Sequence, residues 1–156
     1  MSQEIFIAVV SGVVVAGVGA WLTLIYSIRQ FRYERWWERR SRAYENLLAA
    51  LHDSKAFSAA HLEAYEKDIE LNEEKESEVR ANAKAAHREI VRAFDIAPFL
   101  FSDEVVGYLR TLEKDIDAAQ KHEEWFLFLQ DDWSALNTAQ QAIMKAAREE
   151  LGDGPK

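Results

Sequence analysis

Between Ile5 and Ile28 the chain runs 24 residues without a charged side chain. Val, Ile, Leu, Ala and Phe dominate the run, diluted by Ser11, Gly12, Gly17, Gly19, Thr23 and Ser27. At ~1.5 Å rise per residue, a helix of that length reaches about 36 Å, against a hydrocarbon core of about 30 Å. The pattern predicts a transmembrane helix. A cleaved signal peptide is the rival, because Val18-Gly19-Ala20 has the small residues of a cleavage site. However, no Lys or Arg precedes the run, and it continues through Trp21-Leu22-Thr23-Leu24-Ile25-Tyr26, which favours an uncleaved anchor.

After the uncharged run the pattern changes to amphipathic helices. Trp37, Tyr44, Leu47, Leu48 and Leu51, then Leu62, Tyr65 and Ile69, fall on the three-to-four spacing of one helical face. Ser54, Lys55 and Ser58 interrupt that stripe. A polar layer, a kink, a partner-facing notch and a surface-exposed turn all fit the interruption, and the exposed turn is the expectation. A turn is expected near Leu71-Asn72, with Asn72 capping the next helix and Glu73 and Glu74 at its positive end.

That helix carries Val79, Ala83, Ala86, Ile90, Phe94 and Ala97, and Pro98 is expected to end it. A buried connector, Phe99-Leu100-Phe101, leads to Ser102 as an N-cap, with Asp103 and Glu104 in the first turn and Phe101 and Val106 placed as a hydrophobic staple. The third amphipathic helix uses Val105, Leu109, Leu112, Ile116 and Ala119. Trp125-Phe126-Leu127-Phe128-Leu129 is open to three readings: the start of a last helix, a turn packed over the bundle, or a membrane-contacting segment. Its flanking Asp131 and Asp132 favour packing in the core. The last helix has Trp133, Leu136, Ile143, Met144, Ala147 and Leu151, with Gly152 stopping it. The fold class is all-α: one N-terminal transmembrane helix continuing into an antiparallel bundle of three to four helices.

Charge divides the chain at the same place. Residues 1–42 hold six Arg and three Glu, a net of +3, whereas residues 43–156 hold 13 basic and 24 acidic residues, a net of −11. The expected organisation is an anchor over residues 1–28, a basic aromatic segment over 29–42, a helical bundle over 43–152 and a disordered tail over 153–156. Arg29, Arg32, Arg35, Arg39 and Arg40, interleaved with Trp36 and Trp37, form a juxtamembrane collar suited to anionic headgroups. The positive-inside rule then places the bundle in the cytoplasm and the short N-terminus outside the bacterial inner membrane. Within the run, Ala8, Gly12, Ala16 and Ala20 recur every fourth residue, a small-residue stripe along which helix backbones can approach closely.

Candidate chemistry is sparse. The chain has no Cys, which removes thiolate metal sites and Cys nucleophiles. None of His52, His61, His87 and His122 has an acid three residues before it, as a di-iron bundle needs, and no second His follows His122 at zinc-protease spacing. Phosphate-binding glycine loops are missing from the sequence, so no cofactor or metal is expected, and neither is enzymatic activity. A domain at −11 repels phosphate, which disfavours nucleic acid. Arg80, Lys84, His87 and Arg88 make one basic helix face, where a small anionic ligand is a candidate.

Trp36-Trp37-Glu38-Arg39-Arg40 followed by Ala43-Tyr44-x-x-Leu47-Leu48-x-Ala50-Leu51-His52 resembles a group of bacterial single-span membrane-anchored proteins. Phe101-Ser102-Asp103-Glu104 and the final Ala147-Arg148-x-x-Leu151 are similar to the same group. The resemblance implies an α-helical cytoplasmic domain and brings no activity and no functional residue. The expected function is a membrane-anchored helical interaction module, an oligomeric scaffold or accessory subunit that meets membrane lipids and a protein partner or copies of itself. The alternative is a ligand-gated membrane effector of a bacterial defence or toxicity system, whose spans assemble to perturb the membrane.

Overall fold

The computed structural model describes the backbone of residues 3–152 and the side chains of Trp21, Tyr26, Ser27 and residues 29–152. It contains four helices and, among the described residues, no strand: α1 (Gln3–Glu66), α2 (Glu73–Leu100), α3 (Asp103–Ala119) and α4 (Trp125–Leu151). The chain forms two compact units, residues 1–38 and residues 39–154.

The first unit is helical from Gln3. Among the described residues, no helix is long and apolar enough to cross a membrane. The run from Ile5 to Ile28 falls almost entirely on side chains outside the described residues, so the expected span rests on the sequence alone. The Ala8, Gly12, Ala16 and Ala20 stripe and the tail over 153–156 also lie outside them.

The second unit is a bundle. Its core joins Tyr44, Leu47 and Leu51 of α1, Ala86, Ile90 and Ala97 of α2, Val105, Leu109 and Leu112 of α3, and Leu136 and Ile143 of α4. The helix starts follow the sequence. Asn72 accepts a hydrogen bond from the Lys75 amide at 2.7 Å. Ser102 sits in extended backbone and accepts from the Val105 amide at 3.4 Å, while Phe101 and Val106 both join the core. Each cap satisfies an amide that the first helical turn leaves without an internal acceptor.

Three expectations are corrected. Pro98 does not end α2; it stands inside the helix, exposed, and the helix continues to Leu100. A proline this close to a helix end removes a single amide donor, and the next turn is held by the Phe101 amide donating to the Ala97 carbonyl at 2.9 Å. Arg40 Nε then donates to the Leu100 carbonyl at 2.9 Å, capping the C-terminus from outside. The connector is only partly buried: Leu100 and Phe101 are inside and Phe99 faces solvent.

The third correction concerns residues 54–58, which do not form an exposed turn. α1 stays helical through them, and Ser58 is fully buried.

The run 125–129 resolves into the first turn of α4, with Leu129 buried and Trp125 and Leu127 exposed. This helix starts without a capping side chain: Glu124 has the extended backbone of an N-cap, φ −86° and ψ 122°, and makes no side-chain cap bond. Glu124→Ser supplies the missing acceptor. It is expected to raise stability by about 0.5–1 kcal/mol in thermal unfolding of the full chain.

Candidate functional site

The most distinctive surface of the bundle is the end formed by the last turns of α1, the α1–α2 connection and the first turn of α4. Aromatic rings gather there. Trp125 stacks on Phe128 at 5.1 Å between centroids and meets Phe57 and His61 edge-on at 6.4 and 5.9 Å. Tyr65 lies 4.7 Å from Phe126, and Phe57 packs against His61 at 4.5 Å. Tyr65 is nevertheless 64% exposed, Ile69 57% and Trp125 53%. Single exposed apolar residues are ordinary; three large ones around one cleft are not.

The cleft has a volume of about 580 Å3 and is lined by His61, Ala64, Tyr65, Ile69, Glu70, Leu71, Glu76 and Trp125. A second, of about 260 Å3, lies on the other side of Trp125, lined by Gln120, His122, Glu123 and Phe128. Trp125 is thus a ridge between two hollows.

Backbone geometry holds one wall of the larger cleft. Asp68 adopts a left-handed φ of 50°. The Ile69 amide donates to the Ala64 carbonyl at 3.0 Å, and the Asp68 amide to the Tyr65 carbonyl at 3.1 Å. This is a Schellman ending, whose two reversed bonds satisfy the last carbonyls of α1. It places Ile69 beside Ala64, and both line the cleft.

His61 lines the cleft and is half-buried. Burial holds its pKa below the ordinary histidine value, with Arg80 lowering it further and Glu76 acting in the opposite sense. Its Nε2 is buried and has no hydrogen-bond partner. His122 pairs with Asp131 at 2.7 Å across the α3–α4 connection.

A polar layer crosses the seam between α1 and α4. Lys55 Nζ donates to Gln140 Oε1 at 2.7 Å and to Asn137 Oδ1 at 3.0 Å. Ser58 donates to Asp132 Oδ2 at 2.5 Å, and Gln140 Nε2 to the Leu48 carbonyl at 3.4 Å. Burial raises the Asp132 pKa above the ordinary aspartate value, and the Ser58 hydrogen bond only partly offsets it. A carboxyl group with a raised folded pKa binds its proton more tightly folded than unfolded. Its stability contribution therefore falls as pH rises through that pKa. Asp132→Asn is expected to stabilise the protein at neutral pH, with the advantage shrinking as pH falls toward the ordinary aspartate range. Thermal unfolding of both forms across that range checks it.

The residues singled out from the sequence are dispersed. Arg29, Arg32, Arg35, Arg39 and Trp36 are exposed on α1, with the Arg35 guanidinium 4.5 Å from the Phe31 ring centroid, and Trp37 is half-buried. Arg40 departs from the lipid-facing expectation. It is half-buried in the bundle, where it pairs with Glu150 and caps α2. Arg80, Lys84, His87 and Arg88 are exposed on α2, and Arg80 pairs with Glu76 one turn back. Among the described residues, no group of three or more His, Asp or Glu is placed to hold a metal ion. The aromatic end was missed as a site, because Tyr65 and Ile69 continue the core-facing stripe. The available signal was the eight acids of residues 63–78, which flank those two apolar residues closely.

No protein-family model, curated protein or solved structure matches the chain.

Proposed function

We propose that this protein is a membrane-anchored interaction module: a single N-terminal span over residues 1–28 holds the helical bundle at the cytoplasmic face, and the bundle engages a protein partner. The observation that carries the reading is the aromatic end, where Tyr65, Ile69 and Trp125 stand in solvent around a cleft. A bundle with no binding task gains by burying such residues, at roughly 25 cal/mol per Å2 of apolar surface. The anchor and its orientation are supported by the uncharged run and by the arginines that follow it.

The test is extraction of the full chain from its native membranes in mild detergent, followed by identification of whatever copurifies in stoichiometric amount. A second protein is the expected result. Recovery of the chain in a defined homomultimer alone would favour the self-assembled effector instead. Release of the chain from membranes by alkaline carbonate would remove the anchor. If the span stripe assists assembly, Gly12→Ile combined with Ala16→Ile lowers crosslinking between copies; unchanged crosslinking counts against that role.

A further inference from the structure

The geometry points to a definite partner chemistry for the aromatic end: a basic amphipathic segment of another protein, with apolar side chains seated on either side of Trp125 and Lys or Arg side chains against an acidic rim. This rests on the interaction-module reading and names its partner. Two observations converge on it. The paired hollows of about 580 and 260 Å3 share Trp125 as a ridge, which suits a chain with two anchors better than one compact ligand.

The elements around them carry ten acidic residues, eight over residues 63–78 together with Glu123 and Glu124, against Lys67, Lys75, Arg80 and Lys121. Three of these acids, Glu63, Glu76 and Glu78, are already paired with the neighbouring Lys67, Arg80 and Lys75. Glu70 and Glu123 line the two hollows themselves. Complementary charge guides encounter and excludes acidic competitors, while buried aromatic anchors supply most of the affinity.

A second copy of this chain is the less favoured occupant. Its own basic aromatic stretch, residues 29–42, follows the expected span directly, whereas Tyr65 lies about 38 Å from Arg40 along α1 at ~1.5 Å per residue. Anionic headgroups beside that stretch compete with the cleft of any other copy for its arginines.

The probe is a random library of short peptides displayed on phage, selected against the full chain in zwitterionic-lipid nanodiscs and counter-selected on empty nanodiscs. Selected sequences are expected to combine Lys or Arg with Trp, Phe or Leu. Synthetic versions are expected to lose at least about tenfold in affinity to Trp125→Ala, and to weaken as salt rises. Ile69→Ser is the second variant; it alters an exposed side chain outside the helices, so its loss of binding is not a loss of fold. Glu70→Gln with Glu123→Gln is expected to weaken the basic peptides and to spare an uncharged apolar one.

The assignment is overturned if nothing is enriched, if the enriched peptides are acidic or uncharged, or if both Trp125→Ala and Ile69→Ser bind as the parent does. Self-association that sedimentation shows to be abolished by Trp125→Ala overturns it in favour of a second copy. If a copurifying protein stays bound to the Trp125→Ala chain, the interaction module stands and only the cleft assignment fails.

Discussion

Leu136→Ala is expected to lower the unfolding free energy by about 3 kcal/mol. Leu136 is fully buried on α4, one heptad from Leu129 and one from Ile143, both also fully buried. Leu136 belongs to one buried core with residues of all four helices, and the alanines next to it in that core on α4, Ala135 and Ala139, have no side-chain length with which to fill the space. The loss thus includes the transfer energy of the removed methyl groups and a cavity that relaxation cannot close. Against a total stability of roughly 5–15 kcal/mol for a domain, this is a large fraction. The melting temperature of the bundle, followed by circular dichroism on the full chain, is expected to fall by about 10 °C. Leu127→Ala, at an exposed position two residues from Leu129, is the control and is expected to change stability by less than about 0.5 kcal/mol.

The second large effect is expected at Glu150, with Glu150→Ala costing about 2 kcal/mol. The Glu150 carboxylate accepts from the Arg40 guanidinium and, at 2.6 Å, from the Tyr44 hydroxyl. Tyr44 is 1% exposed, and its pKa is raised, first by burial and then by the Glu150 hydrogen bond. Removing the carboxylate leaves a buried hydroxyl without its acceptor and a half-buried guanidinium without its counter-ion.

Unmade buried hydrogen bonds cost more than made ones contribute, which is why truncation exceeds the net worth of the trio. Arg40 keeps its bond to the Leu100 carbonyl, and a cation at a helix C-terminus remains favourable. These limit the loss to less than that of a fully buried pair. Glu150→Gln separates the contributions: it retains an acceptor for Tyr44 and removes only the charge, and is expected to cost about half as much. The same melting experiment reads both variants.

Helix positions and caps were legible because they depend on neighbours in the sequence. Asn72 and Ser102 are short polar residues followed by acids, and both cap as expected. What covers a helix face is not a local property. Tyr65 and Ile69 continue the spacing of Leu51 and Leu62, yet the chain turns at Asp68 and both stay largely exposed, Tyr65 meeting only the edge of α4 through Phe126. The polar interruption at Lys55 and Ser58 was misjudged for a related reason. Its partners, Asp132, Asn137 and Gln140, are 74 to 85 residues away. Their spacing along α4 runs opposite to that of Ser58 and Lys55 along α1. That antiparallel match of polar positions was present in the sequence, but it becomes a signal only once α1 and α4 are known to be neighbours. Arg40 was misplaced likewise: a run of arginines looks uniform until one of them finds a carboxylate 110 residues later.

The seam between α1 and α4 also sets the order of events during synthesis. Tyr44 leaves the ribosome 106 residues before the carboxylate it will bond. At ~5–20 residues per second, that interval is about 5–20 s. Throughout it, the apolar face of α1 has α2 and then α3 as partners but not the helix that completes its enclosure. The nascent bundle therefore waits, open on one side, for its last segment.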